Sequence, residues 1–231
     1  VNAERINVWK YTPGNGWNIG KLRGGDEMEF ECAWSTEDPD YIHYHNTVWG
    51  RPLYDDRELF AMLCLEGQQA GLSWLTILKR IPAYRKTFAD FDAEQLAVWD
   101  EFDIDDLMQN TGIIRNRLKI QSIILNARAF LAIRQQYGSF SRWLWQAVGG
   151  KPIVHHWQER SAVPVTIPAA EVMSKTLKRA GFKFVGPTIC YAFMQAVGMV
   201  NDHLVTCPCH RDCQSVTVPE TDDRWQNPDY Q

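Results

Sequence analysis

No stretch of this chain comes near the ~20 consecutive apolar residues that a bilayer crossing requires, and its first residues show no basic-then-apolar leader. Both absences point to a soluble, cytoplasmic protein. In that compartment thiols stay reduced, so Cys32, Cys64, Cys190, Cys207, Cys209 and Cys213 are expected as core residues or metal ligands and not as disulfides. Positive charge is also in short supply: 24 Lys and Arg stand against 28 Asp and Glu, a net charge of -4. A global basic field is excluded, and a polyanionic partner would have to use a local face. Missing acids mark where such a face could lie. None occurs between Asp106 and Gly138, and none between Glu171 and Asp202.

What is present is enough for one large core: 231 residues, 45% of them hydrophobic and 12% aromatic. Residues 1–27, with Pro13 and five glycines but no sustained period, and followed by Met28, read as an N-terminal extension or leader. Residues 28–213 read as the folded domain, and 214–231, with Pro219, Pro228 and many acids, as a disordered tail. Apolar spacing within the domain is helical throughout. Asp38-Pro39 opens a short helix, and Asp55 with Glu58 caps the next. A helix from Ser73 is expected to break at Pro82, and Asp92 with Gln95 and Asp103 with Asp106 mark two further starts. Ile120, Ile123, Ile124, Ala127 and Leu131 line a long helix up to Gly138. Further helices are expected near Phe140–Val148, from Pro168 to Gly181 and from Thr188 to Gly198. Residues 151–168, carrying His155 and His156, read as a surface connection.

The most unusual stretch is Leu63-Cys64-Leu65-Glu66-Gly67-Gln68-Gln69-Ala70-Gly71-Leu72-Ser73-Trp74. A carboxylate, two amides and two glycines lie between apolar turns, and each Gly costs about 1 kcal/mol within a helix. Such a Gly often marks a place where the backbone approaches a ligand or another chain. A plain helix-to-helix turn with a solvated Glu66 is the alternative. A second candidate is the hairpin turn Thr111-Gly112-Ile113-Ile114-Arg115-Asn116-Arg117, whose following helix would offer unpaired N–H groups to a phosphate, with Arg115, Arg117 and Lys119 around it. A third is the run from His203 to Cys213. His203 and Cys207, four apart, can grip one ion, but so can Cys207, Cys209, His210 and Cys213. Spacing leaves both sets open.

Taken in order, the segment from Cys32 to His45, Tyr44 and Trp49, Leu65 to Trp74, Thr111 to Arg117, Gly181-Phe182-Lys183-Phe184-Val185-Gly186 and Asn201-Asp202-His203 closely resemble the DNA-3-methyladenine glycosylase I family, from about Glu31 to Cys207. The resemblance implies an all-α, helix-hairpin-helix protein, acting as a monomer on double-stranded DNA with alkylated bases. The implied reaction is hydrolysis of the bond between 3-methyladenine and deoxyribose. It also implies a structural zinc held by Cys32, His45, His203 and Cys207, leaving Cys209, His210 and Cys213 spare. It places Tyr44, Trp49, Glu66 and Trp74 in a base pocket, with Glu66 as the catalytic residue.

Chemistry agrees with that assignment. Alkylation at N3 leaves adenine cationic, and aromatic faces beside one ionised carboxylate suit a flat cation, each face contributing about 0.5–2 kcal/mol in a dry site. A cationic base leaves readily, so selective binding of the flipped base is expected to drive the reaction with water as the nucleophile. Gln69, Gly71 and Leu72 would fill the gap in the duplex, and Gly112, Arg115, Arg117, Lys175 and Lys183 would meet phosphates. Two rivals predict different behaviour: a non-catalytic zinc-stabilised DNA-binding module releases no base, and a zinc hydrolase loses turnover on chelation while still folded.

Overall fold

The computed structural model describes residues 38–215, Cys32, and a two-residue antiparallel pairing of β1 (Tyr11–Thr12) with β2 (Gly16–Trp17). The expectations for the leader and the tail otherwise lie outside the described residues. The described domain is all-α, as expected, and none of its helices is long and apolar enough to cross a membrane.

Helix α1 (Pro39–Thr47) starts as the sequence implies: Asp38 accepts from the N–H groups of Asp40 and Tyr41, and Pro39 occupies the first turn. Helix α2 (Asp56–Gln69) is capped by Asp55 and is the axis of the fold. Every residue from Leu59 to Gln68 is buried, because the helices Trp74–Leu78, Arg117–Tyr137, Phe140–Trp145 and Pro187–Ala196 enclose it. After the turn at Gly71, Ser73 caps α3 (Trp74–Leu78). Pro82 does not end a helix; it sits in the first turn of a separate one, α4 (Ile81–Thr87), where its missing N–H is no loss. Helix α5 (Ala93–Ala97) is capped by Asp92. Helix α6 (Glu101–Leu107) starts earlier than expected: Asp100 is the cap, and Asp103 is its reciprocal capping-box partner.

The long helix α7 (Arg117–Tyr137) is capped by Asn116 and stopped by Gly138 at φ 80°. Helix α8 (Phe140–Trp145) begins where Asp56, at the head of α2, accepts from Ser139 Oγ and from the N–H groups of Phe140 and Ser141. The 151–168 segment is not a free connection. Its strand β3 (Ile153–Val154) pairs in parallel with β4 (Val200–Asn201), so His155 lies beside Asp202 instead of in solvent. Helices α9 (Pro168–Arg179) and α10 (Pro187–Ala196) form a packed hairpin, and α11 (Pro208–Gln214) closes the described chain.

Candidate base pocket, DNA face and metal site

The C-terminal end of α2 is where the two hairpins converge. Gly67 abuts the α9–α10 turn: a Cβ there would lie 3.2 Å from Phe184 Cβ and 3.4 Å from its carbonyl oxygen. Phe184 itself holds φ 55°, a left-handed conformation that leaves it little freedom to retreat. Gly67 is thus explained by contact with another segment of the same chain, where the sequence suggests a ligand or a second chain. One residue further on, Gln68 Nε2 donates to Lys119 O at 2.8 Å, which joins α2 to the start of α7 behind the α6–α7 turn.

Glu66 lies between these contacts and is 4% exposed. Its Oε2 has no hydrogen-bond partner among the described residues, nor does the buried indole Nε1 of Trp74. Buried polar atoms without a partner are uncommon in folded proteins, and a water, an ion or a ligand can supply what they lack. The Tyr44 ring stands 5.3 Å from that of Trp74, tilted by 44°. Burial pushes the Glu66 carboxyl up to about 8, and burial, then the neighbouring Glu66 and Tyr41, raises the Tyr44 hydroxyl. The ionised Glu66 expected from the sequence belongs to the complex with a cation; burial alone favours the protonated acid at neutral pH. A cation entering it would restore the carboxylate.

Trp49 is placed differently from the other expected pocket residues. Its ring stacks on His45 at 6.0 Å and meets His203 edge-on at 4.6 Å, so it walls the Cys/His cluster. It also lines a cleft of about 290 Å³ with Arg160, Val165, Tyr191, Gln195 and Asp202. Asp202 is fully engaged there by His155 and Trp157 at one oxygen and Tyr191 and Gln195 at the other. Having no lone pair directed at a substrate, it is a structural acid.

Of the residues expected to meet DNA, Gly71, Leu72, Arg115, Lys175 and Lys183 are exposed and Gln69 is half-buried. Gly71 has φ +75° with open space around it, and Leu72 is 39% exposed beside the pocket. Two expected contacts are altered. Gly112 N–H donates to Asn110 Oδ1 at 2.8 Å, and Ile114 N–H donates to the Tyr84 hydroxyl, so neither amide points outward. Gly112 is needed instead because a Cβ would meet Ala83 Cβ at 3.1 Å. Arg117 is paired with both Glu101 and Asp105, which compete with any phosphate.

The second turn, 180–186, is held by side chains of α7 and α9. There Asn126 Oδ1 accepts from Lys183 N–H at 2.7 Å and Ser174 Oγ donates to Val185 O at 2.6 Å, fixing the backbone while the Lys183 side chain faces solvent. The flanking Gly181 and Gly186 and the lysine-bearing stretch of α9 after Glu171, which holds no acid, were the available signals.

The ligand atoms of Cys32, His45, His203 and Cys207 all lie within 4.8 Å of one another, a Cys/His cluster able to hold a metal ion. His203 Nε2 is hydrogen-bonded to Trp49 O at 3.1 Å, which turns Nδ1 to the sulfurs of Cys32 at 3.5 Å and Cys207 at 3.7 Å. A tetrahedral ion with ordinary Zn–S and Zn–N bonds separates sulfur from nitrogen by about 3.6 Å. The rival set is not assembled. His210 spends Nε2 on His155 O and Nδ1 on Gln214, and Cys209 and Cys213 lie toward the carbonyls of Asn46 and Trp49.

Comparison with known proteins identifies the class first. The chain has the all-helical glycosylase fold: it superposes with TM-score 0.76 on a crystal structure of 3-methyladenine DNA glycosylase I, at 52% identity over 77% of this chain and 97% of that one. An equal TM-score, with 46% identity over 77% of this chain and 95% of the other, relates it to the Staphylococcus aureus enzyme studied for 3-methyladenine recognition. The chain belongs to the methyladenine glycosylase family, whose sequence profile matches residues 34–210. Its relatives include DNA-3-methyladenine glycosylase 1 of Escherichia coli K12, 50% identical over 78% of this chain and 96% of that protein. The Haemophilus influenzae DNA-3-methyladenine glycosylase is 46% identical over 79% of this chain and 98% of its own length.

Proposed function

We propose that this protein is a base-excision repair glycosylase that hydrolyses the N-glycosidic bond of 3-methyladenine in alkylated duplex DNA. The observation that carries the reading is the pair of orphaned atoms, Glu66 Oε2 and Trp74 Nε1, buried beside the Tyr44 ring. A flipped 3-methyladenine has an exocyclic amine for the carboxylate, ring nitrogens for a donor, and a positive charge for the aromatic faces. Neutral adenine would have to share the pocket with a protonated Glu66, or bear the cost of ionising it. The charge on the alkylated base is thus what selects it.

That charge also makes the base a good leaving group, so no general acid is required. Asp202, a buried acid in the C-terminal half, is fully engaged and offers none. Binding energy gained as the base leaves, with DNA phosphates close to the sugar cation and water as the nucleophile, accounts for the rate. Gln69 and Leu72 would occupy the vacated stack. Lys175 and Lys183 on the α9–α10 hairpin, with Arg115 beside the other turn, supply the phosphate contacts. Arg117 contributes less because Glu101 and Asp105 hold it.

The Cys/His cluster is proposed to hold zinc. Four protein donors leave no open position for water, so the ion would tie Cys32, ahead of α1, to the segment after β4 and take no part in chemistry. The test of the function is chromatographic identification of bases freed from methylated DNA. Release of 3-methyladenine is expected; DNA binding with no released base would favour a non-catalytic module.

A further inference from the structure

A buried cation sits where the proposed gap-filling loop meets the first hairpin. Lys119, in the first turn of α7, is 6% exposed, and its ammonium donates to two backbone carbonyls, Gln68 O at 2.8 Å and Ala70 O at 2.7 Å. Gln68 answers by donating Nε2 to Lys119 O at 2.8 Å. Its Oε1 accepts from the Tyr84 hydroxyl at 3.3 Å, and that hydroxyl accepts from Ile114 N–H at 3.1 Å. A continuous line of hydrogen bonds therefore runs from the α6–α7 turn, through Tyr84, Gln68 and Lys119, to the carbonyl of Ala70.

Ala70 is the C-cap of α2 and immediately precedes Gly71 and Leu72. The last carbonyls of a helix lack intrahelical partners, and a cation placed there is favourable. The turn has its own closure, though, from Leu72 N–H to Gln69 O. A lysine buried at the cost of desolvation, which lowers its pKa, is not needed merely to end the helix. What it adds is a fixed distance between two segments 49 residues apart in sequence.

We propose that Lys119 is a positioning residue for base extrusion: by gripping Gln68 O and Ala70 O it holds loop 69–73 in register with the α6–α7 hairpin. Seating the hairpin on the DNA backbone then delivers Gln69 and Leu72 to the gap. The inference rests on the glycosylase reading and concerns its duplex-opening step. Single-stranded DNA has no stack to refill, so the loop's position matters there far less.

The experiment compares release of 3-methyladenine from one methylated sequence presented as duplex and as single strand, for wild type, Lys119→Met and Tyr84→Phe. Misplacing the loop is expected to slow release from duplex by about tenfold or more in Lys119→Met, with the single-strand rate within about threefold of wild type. Tyr84→Phe, which cuts the line without touching the ammonium, should show the same selectivity in weaker form. Should Lys119→Met not fold, Tyr84→Phe decides. Equal loss on both substrates, or no loss on duplex, overturns the inference. A wild type that frees no base from either substrate overturns the glycosylase reading, a distinguishable failure.

Discussion

Burying Glu66 with one oxygen unpartnered makes the fold sensitive to pH at a single residue. An unfolded chain loses this proton near 4.5, whereas the folded protein holds it to about 8. Below the lower value both states are protonated and there is no penalty. Between the two, the native state keeps a proton the unfolded chain has released, so stability falls by about 1.4 kcal/mol per pH unit; above the higher value the penalty is constant. In Glu66→Gln that slope disappears. The melting temperature of the variant should therefore rise relative to wild type between about pH 5 and 8, while release of 3-methyladenine collapses. Parallel melting curves across that range would mean Glu66 is solvated, and undiminished release would remove it from the pocket.

At the scale of elements, α2 brings Glu66 to a junction that two hairpins close from opposite sides. Gly67 is where α2 meets the turn of the second hairpin. Gly67→Ala forces a methyl against Phe184, whose left-handed backbone is already held by neighbours, and should destabilise the protein by about 1–3 kcal/mol in denaturant unfolding. An unchanged midpoint would show that the turn can move. Helix starts were legible because a cap is a local event: Asp38, Asp55 and Asp92 each bond to amides two or three residues on. Asp103 misled by one turn because a capping box has two acids, and sequence does not say which is the cap. The hydrogen bond made by the Gly112 amide, the ion pairs of Arg117 and the half-burial of His155 were not legible in the sequence for a shared reason. Their partners, Asn110, Glu101, Asp105 and Asp202, are chosen by tertiary packing. Buried Lys119 reads as one more surface cation in the sequence, and only the fold reveals its grip on α2.

Across the whole molecule, an acidic chain must keep its DNA-facing cations together. Lys183 stands exposed on a fixed turn, whereas Arg117 is spoken for by two acids. Lys183→Gln should therefore reduce the slope of log affinity against log salt by about 0.9, and Arg117→Gln should change it less. Equal slopes would put the DNA surface elsewhere. The Cys/His cluster joins Cys32 to the far end of the domain. Cys32→Ser or His203→Ala should bring bound zinc toward zero and lower the melting temperature, and chelation should abolish activity only as the fold is lost. Activity lost with the fold intact would favour a metal hydrolase.

The central claim is that charge on the purine, met by Glu66 and the rings of Tyr44 and Trp74, does the selecting. Its most direct test is a calorimetric comparison of permanently cationic 3,9-dimethyladeninium with neutral 9-methyladenine, for wild type and Glu66→Gln. The cation should bind wild type tighter by about tenfold or more, and the margin should shrink in the variant. Equal affinities of wild type for the two purines would contradict the account.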